Sequence, residues 1–278
     1  MSPRWSSRGR LARRARITYP SQSKMPLQED NKIVQGIWMG VLSNMEKMCM
    51  TSFMSHGHTF HLYTYQDDLQ GIPEGVIVKD ANKIVPEERK KEFRWVSGFS
   101  DFLRYNILCN GGWYVDMDVV CLRPLDFASE YVFASSSYNN QYEVLPEEDL
   151  TVFKSSHFIG NAFLKVIPDS PIMKFCRNCV ENIPNKDKDD FIVDALGPRL
   201  FRRAVKRYKL EKFVQPPVVF DPVPFYRTSD IVNPCVSWDF TQAYVAHLNN
   251  SAWQIKGLSK DASYPAGSLY EQLKKRYL

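Results

Sequence analysis

The sequence lacks any apolar run long enough to cross a membrane, and it has few cysteines. A membrane-spanning helix needs about 18 or more consecutive apolar residues, and no such run occurs in the chain of 278 residues. The basic N-terminal region also lacks the apolar stretch of a secretory signal. Six cysteines are too sparse for a disulfide scaffold. We therefore expect a soluble, cytoplasmic protein with reduced thiols, with targeting to an organelle by the basic N-terminal region as the alternative.

Excess charge is confined to the N-terminal region. Of 36 basic and 31 acidic side chains, seven and two lie in residues 1–30, so the 29 of each sign in residues 31–278 balance. A neutral body does not favour a nucleic-acid groove. We predict that residues 1–30 are a basic, disordered extension outside the fold. A transit-type peptide, an arm that binds an anionic partner, and sequence upstream of a start at Met25 stay open as interpretations.

The first half of the chain alternates strands and helices. The hydrophobic pattern predicts a buried strand over Lys32–Trp38, a helix that begins after a capping residue at Ser43, and a second strand over His58–Tyr65. This order predicts a right-handed crossover and a mostly parallel sheet covered by helices. A mostly helical segment, Pro86–Cys109, then precedes a further strand, Trp113–Val120.

The second half alternates less regularly. Strands are predicted at Tyr131–Ser135 and Val152–Phe158, and helices at Pro171–Glu181 and Pro198–Tyr208. The last helix has one apolar and one basic side. A solvated face is the common explanation for such a basic side, although peripheral contact with a membrane or a phosphate-bearing acceptor stays open.

Two aspartates on the strand before residue 120 are the candidate functional centre. Side chains alternate along an extended chain, so Asp116 and Asp118 point to the same side. Two adjacent buried carboxylates are costly unless a cation neutralises them, and hard oxygen ligands suit Mn²⁺ or Mg²⁺. An ion held there keeps positions open for the oxygens of a substrate diphosphate, whose charge it neutralises on departure.

The helix that precedes this strand adds a charged pair. Asp101 and Arg104 are three residues apart, which places the carboxylate and the guanidinium on one helix face. A surface ion pair would explain the two residues by themselves. Beside a carboxylate–metal site, they could instead bind sugar hydroxyls.

The segment from Ser100 to Leu125, SDFLRYNILCNGGWYVDMDVVCLRPL, resembles the DXD sugar-binding region of glycosyltransferase family 32. The resemblance implies a single GT-A catalytic domain over residues 31–278, α/β with a Rossmann-like, mostly parallel central sheet flanked by helices. It implies a metal-dependent, retaining hexosyltransferase in glycan biosynthesis. The donor would be a nucleotide sugar, with a UDP-sugar favoured and a GDP-sugar possible. The acceptor would be a glycan or another hydroxyl compound.

Two further segments extend the resemblance over about residues 32–253. Lys32–Gly40 is similar to the opening strand of the family, and Ala246–Trp253 resembles its late histidine, serine and tryptophan motif. The resemblance implies catalytic roles for Asp116, Asp118 and Arg104, and a metal site formed by Asp116, Asp118 and His247. The implied donor-binding residues are Trp38, Asp101, Arg104, Tyr114, Asp116, Asn161, Asn249, Ser251 and Trp253.

Two other functions stay open at this level. The segment Tyr114–Val119 also resembles the strand-borne motif of haloacid-dehalogenase-type phosphatases, in which the first aspartate attacks phosphorus and the second transfers a proton. That motif normally ends the first strand of its domain, whereas here other elements come first. A non-catalytic nucleotide-sugar-binding module with the same fold is the third hypothesis.

Overall fold

A computed structural model describes residues 15–21, 26–137, 157–183 and 195–278. The strands in these residues are β1 (Ile17–Thr18), β2 (Ile33–Ile37), β3 (Thr59–Thr64), β4 (Ile77–Asp80), β5 (Gly112–Val115), β6 (Val119–Cys121), β7 (Val132–Ser137), β8 (His157–Val166), β9 (Trp238–Asp239) and β10 (Val245–His247). The α-helices are α1 (Glu29–Lys32), α2 (Asn44–Ser55), α3 (Val96–Leu108), α4 (Pro171–Glu181), α5 (Leu200–Arg207), α6 (Pro217–Phe220), α7 (Asn250–Ile255) and α8 (Leu269–Tyr277). Short 3₁₀ segments include Glu87–Glu92 and Phe225–Val232.

Six strands form the central sheet, in the order β4-β3-β2-β5-β8-β7. Neighbouring strands from β4 to β5 run parallel, whereas β8 runs antiparallel to both β5 and β7. Two small sheets accompany it, a parallel β1–β9 pair and an antiparallel β6–β10 pair. The predicted fold class is confirmed: the chain is α/β, with a mostly parallel central sheet flanked by helices as expected of the GT-A type.

Helix α2 begins where the sequence provides capping groups. The backbone N–H of Ser43 donates to the Glu46 carboxylate at 2.7 Å, and the Ser43 hydroxyl accepts from the N–H of Met45 at 3.2 Å. These bonds satisfy donors that a helix N-terminus leaves free, so α2 begins where the sequence predicts it. Among the described residues, no helix is long and apolar enough to span a bilayer.

Helices cover the central sheet on both faces. Because side chains alternate along each strand, successive residues of β2 and β5 enter different apolar cores. The core beneath α3 and α4 contains Ile37, Tyr63, Tyr114, Leu164, Phe99 and Phe102. The core beneath α2 contains Val34, Phe60, Trp113, Val115 and Phe163. A third core joins α2, β6, β10, α7 and α8, and it includes Met45, Val120, Ala246, Trp253 and Tyr270.

The prediction of one continuous strand from Trp113 to Val120 is wrong. β5 ends at Val115, and the chain turns so that the N–H of Val119 donates to the Asp116 carbonyl at 3.2 Å. The chain then leaves the central sheet, because β6 pairs with β10 instead. The two aspartates of the motif therefore lie in a turn between two sheets, and this turn rather than strand alternation sets the direction of their side chains.

Part of the N-terminal region that was predicted to lie outside the fold belongs to it. Ile17 and Thr18 form β1 against β9, and Asp30 forms an ion pair with the buried Lys165 at 2.7 Å. Residues 1–14 and 22–25 lie outside the described residues.

Two predicted elements of the second half have different boundaries. The predicted strand Val152–Phe158 corresponds to β8, which begins at His157, and residues 152–156 lie outside the described residues. The helix predicted from Pro198 is an α-helix only from Leu200, and it directly follows a π-helical turn, Ala195–Arg199, that is kinked at Gly197.

We predict that Gly111→Ala destabilises the protein more than Gly257→Ala. Both glycines have left-handed backbone, with φ of +78° and +64°, so alanine costs each about 1–2 kcal/mol. A Cβ at position 111 would lie 2.5 Å from the Pro168 nitrogen, whereas nothing lies within 4 Å of one at position 257. Displacing the Pro168 backbone adds about 1–3 kcal/mol. Urea unfolding followed by circular dichroism measures both losses, and equal losses would contradict the close approach.

Candidate active site

A cavity of about 500 Å³ opens where β2 and β5 end. From β2 the chain continues to β3 and β4 on one side of the sheet, and β5 then pairs with the other side of β2. The cavity therefore lies at the point where the strand order reverses. Open α/β sheets bind ligands at this point, beyond the carboxyl ends of the strands. The cavity is lined by Trp38 and Met39 after β2, Asp116, Met117 and Asp118 after β5, Ser97, Ser100, Asp101 and Arg104 of α3, and Asn250 and Ser251 of α7.

Arg104 is buried beside the cavity and joins two of its aspartates. Its Nη2 donates to Oδ1 of Asp116 at 2.7 Å, and its Nη1 donates to Oδ1 of Asp101. The guanidinium also lies over the Tyr114 ring, 4.6 Å from the centroid, and the Tyr114 hydroxyl donates to Oδ1 of Asp116 at 3.2 Å. The Asp116 carboxylate is thereby held in one position while its side chain stays 34% exposed toward the cavity.

Asp101 is the buried member of this network. Asn161 donates to its Oδ1 at 2.8 Å, on the same oxygen that Arg104 contacts. The backbone of Gly197 closes over the carboxylate so tightly that a Cβ there would lie 2.3 Å from Oδ2. Burial raises the pKa of Asp101 to about 6, and Arg104 and Asn161 offset this only in part. Asp101 therefore positions Arg104 and lies at the floor of the cavity.

Asp118 belongs to a second charged group that includes His247 and Asp221. His247 Nε2 lies 3.4 Å from Oδ1 of Asp118, and its Nδ1 lies 3.2 Å from Oδ1 of Asp221. The backbone N–H of Asn250 donates to Oδ2 of Asp118 at 2.6 Å. Burial opposes ionisation of Asp118, but His247 and the Asn250 N–H outweigh it and lower the pKa of Asp118. Burial likewise disfavours the charged imidazole, yet the two carboxylates hold the pKa of His247 well above its ordinary value.

The two carboxylates of the turn fit a divalent cation. Oδ1 of Asp118 is buried with only the 3.4 Å contact to His247 Nε2, and Asp116 faces the same cavity. Carboxylate oxygens are ligands that Mn²⁺ and Mg²⁺ accept, and Mg²⁺ commonly takes further oxygens from a substrate phosphate. Among the described residues, no three His, Cys, Asp or Glu side chains are already arranged around one metal position. The protein thus offers two carboxylates to such an ion, with His247 behind Asp118.

A second ion pair borders the cavity near Trp38. Lys260 binds the fully buried Glu46, and its Nζ lies 4.9 Å from the centroid of the Trp38 ring. The Trp38 indole donates to the Val41 carbonyl at 3.1 Å, which fixes the ring at the rim. Sequence reasoning assigned Glu46 to the capping box alone and did not find Lys260, because 214 residues separate the two partners.

Most of the predicted site residues meet at this cavity. The predicted residues in its lining are Trp38, Asp101, Arg104, Tyr114, Asp116, Asp118, Asn161 and Ser251. His247, Asn249 and Trp253 are not in the lining; the imidazole of His247 lies behind Asp118. The Asn249 amide donates to the Val223 carbonyl, and Trp253, only 1% exposed, packs on Tyr270 with its indole bonded to the Leu248 carbonyl.

Sequence reasoning missed several residues of the lining. Ser97 lies four residues before Asp101 and Ser100 lies four residues before Arg104 along α3, so helical spacing from the charged pair was a usable signal. Asn250 lies between Asn249 and Ser251, two predicted donor-binding residues, and its backbone rather than its side chain makes the contact with Asp118. No sequence pattern marks a backbone donor of this kind.

Another cavity, of about 800 Å³, lies at the opposite end of the sheet. Its buried polar side chains already have protein partners. Gln35 donates to the Gly111 and Trp113 carbonyls, and Lys165 binds Asp30 and the Phe127 carbonyl. Nothing there requires a ligand, so the cavity beside the two aspartates is the candidate active site.

The match to a protein-family model agrees with the resemblance seen in the sequence. Residues 41–144 match the family model described as "Glycosyltransferase sugar-binding region containing DXD motif". A solved structure titled "PaToxG Glycosyltransferase" aligns with 89% of this chain and 86% of its own, at 15% identity and a TM-score of 0.43. No curated protein matches the sequence. The family match confirms the prediction of a DXD glycosyltransferase, while membership of family 32 stays a prediction.

We predict that Asp101 makes the stability of the protein depend on pH between about 4 and 6. Its pKa rises from 3.8 in the unfolded chain to about 6 on folding, so the native state keeps a proton that the unfolded state releases. The contribution of the Asp101 proton to the free energy of unfolding is complete below pH 3.8 and is lost as the pH rises through 6. Relative to Asp101→Asn, the wild-type protein therefore loses ~3 kcal/mol of unfolding free energy over this interval.

Urea unfolding of both proteins at several pH values measures this difference. The comparison uses the slopes of unfolding free energy against pH rather than the values at one pH, because the substitution also changes the contacts of Arg104. Parallel slopes for the two proteins would contradict the raised pKa.

Proposed function

We propose that the protein is a metal-dependent, retaining glycosyltransferase that moves a hexosyl unit from a nucleotide sugar to a glycan or another hydroxyl acceptor. A UDP-sugar is the favoured donor and a GDP-sugar the alternative. The observation that carries the proposal is the turn after β5, which directs Asp116 and Asp118 into one cavity at the carboxyl ends of the parallel strands. The catalytic domain covers residues 31–278, and β1 adds to it from the preceding region.

The two ends of the cavity differ in chemistry, which suggests how the donor lies. Trp38 provides an aromatic surface at the rim, suited to a nucleobase. Asp116 and Asp118 lie deeper, where a diphosphate would need a cation between itself and the two carboxylates. Asp101 and Arg104 lie beside them and are suited to hydroxyl groups of the sugar.

The proposed reaction depends on stabilising the leaving diphosphate while an acceptor hydroxyl attacks the anomeric carbon. A bound Mn²⁺ or Mg²⁺ would supply positive charge at the diphosphate oxygens. Arg104 holds Asp116 in place through its 2.7 Å bond, and Ser251 faces the cavity as a hydroxyl donor to phosphate. Resemblance to family 32 supports retention of the anomeric configuration, with attack from the face that the diphosphate leaves.

We predict that Asp116→Ala combined with Asp118→Ala reduces turnover by about 100-fold or more, because both carboxylates that hold the cation are lost. Purified protein is incubated with Mn²⁺ and a panel of UDP- and GDP-hexoses, and release of UDP or GDP is measured with and without oligosaccharide acceptors. Removal of Mn²⁺ by a chelator should abolish release, and its return should restore it.

The matched control is Asp67→Ala combined with Asp68→Ala, which removes two adjacent exposed aspartates far from the motif in sequence and should leave turnover unchanged. Full activity of the Asp116 and Asp118 double variant would overturn the proposal. Phosphate release from a simple phosphate monoester, without any nucleotide sugar, would favour the phosphatase instead. The anomeric coupling constant of the product in NMR decides between retention and inversion.

A further inference from the structure

We propose that Lys260 is a positioning residue for the nucleotide donor, because its ammonium covers one face of the Trp38 ring and leaves the other face to the base. The buried carboxylate of Glu46 fixes the ammonium in this position. The inference rests on the proposed function, since it concerns the end of the cavity that is assigned there to the nucleobase. It adds a charged pair whose partners lie 214 residues apart.

Trp38 is held at the rim of the cavity by its edge and by one face. Its indole N–H donates to the Val41 carbonyl at 3.1 Å, which fixes the edge of the ring. Lys260 Nζ lies over the ring, 4.9 Å from the centroid, at a distance typical of a cation–π contact. A base that stacks on Trp38 must therefore use the opposite face. Trp38 lines the cavity and Lys260 does not, so the ammonium acts on a bound base through the ring.

Glu46 determines where the ammonium lies. Its carboxylate is fully buried but borders the cavity, and it accepts the backbone N–H of Ser43 at 2.7 Å in the capping box of α2. This bond ties the carboxylate to the start of the helix, so the lysine must reach inward to it. A buried carboxylate is costly without a charged partner. The pair therefore keeps Lys260 at the rim, with only 20% of its side chain exposed.

The backbone around Lys260 is anchored as well. The Tyr270 hydroxyl donates to the Lys260 carbonyl at 2.6 Å, and the neighbouring Asp261 carboxylate accepts the backbone N–H of Asn44 at 2.9 Å. Lys260 thus reaches Glu46 from a segment that is bound to both α8 and the start of α2. A free lysine side chain samples many rotamers, whereas this one is fixed at both ends and supports the Trp38 ring in one place.

We predict that Lys260→Met weakens the binding of UDP or GDP, whichever the protein binds more tightly, by about 3- to 10-fold. Without the ammonium, the Trp38 ring takes other orientations, and only a fraction of the molecules present it for stacking. Isothermal titration calorimetry of the full chain with each nucleotide and Mn²⁺ measures the affinities. Lys260→Arg should restore most of the affinity, because a guanidinium also pairs with a carboxylate and stacks on an aromatic ring.

Inorganic pyrophosphate with Mn²⁺ tests whether Lys260 acts at the base or at the phosphates. Pyrophosphate has no base, so its affinity should be the same for the wild-type protein and for Lys260→Met. Equal losses of pyrophosphate and nucleotide affinity would overturn the inference, since the ammonium would then bind phosphate directly. In a Trp38→Ala background, Lys260→Met should cause no further loss of nucleotide affinity. Additive losses in this cycle would also contradict a role through the ring.

A second variant separates the role of Lys260 from an effect on folding. Lys260→Met alone leaves the Glu46 carboxylate buried without its partner, so Lys260→Met combined with Glu46→Gln is measured beside it. Glutamine can keep the capping bond to Ser43, and the same loss of nucleotide affinity is expected. Thermal unfolding shows that both variants are folded. The matched control is Lys212→Met, which removes another Nζ 4.9 Å from an aromatic centroid, that of Phe213, and should leave nucleotide affinity unchanged.

The same titrations distinguish failure of this inference from failure of the proposed function. If the wild-type protein binds neither UDP nor GDP, the nucleotide-sugar function is overturned and the role of Lys260 with it. If a nucleotide binds and Trp38→Ala weakens its binding, but Lys260→Met and the double variant leave it unchanged, only the role of Lys260 is overturned.

Discussion

A buried arginine shared by two aspartates holds the candidate active site together. Arg104 reaches from α3 to the end of β5, where it binds Asp116, and it also binds Asp101 on its own helix. Removing one partner from a buried ion pair leaves an uncompensated charge, which typically costs about 3–5 kcal/mol. The same bonds that orient Asp116 therefore fix α3 against the central sheet. The Gly197 backbone packs directly against the Asp101 carboxylate, where only a residue without a side chain fits.

The two aspartates of the DXD motif are held in place by different parts of the molecule. Asp116 is held by α3 through Arg104, whereas Asp118 is held by His247 and the backbone of Asn250, which come late in the chain. The turn between β5 and β6 joins these two environments. Small shifts between the central sheet and the β6–β10 pair would change the separation of the carboxylates. This arrangement explains why a short motif needs so much surrounding structure to act as one site.

Local patterns in the sequence predicted the alternation of strands and helices in the first half of the chain and the charged residues at the centre of the site. Helix spacing paired Asp101 with Arg104, the capping residues located α2, and the adjacency of Asp116 and Asp118 kept them together in any local structure. Alternation could not tell a continued strand from a turn, because the pattern of apolar and acidic residues fits both. Asp221 and Lys260 were beyond reach, since their contacts join segments separated by 26 and 214 residues and no periodicity marks either one.

The bond between Asp118 and the Asn250 N–H spans 132 residues of sequence, and this has a consequence for synthesis of the protein. The central strands and α3 can pair while the chain is still growing, since domains and their parts fold as they emerge from the ribosome. In the part of the chain that the structure describes, β6 has no partner strand until β10 has been made, and the Tyr277 hydroxyl that donates to the Cys121 carbonyl comes 156 residues later than its acceptor. A nascent chain would therefore carry the DXD motif long before its second aspartate reached its final position.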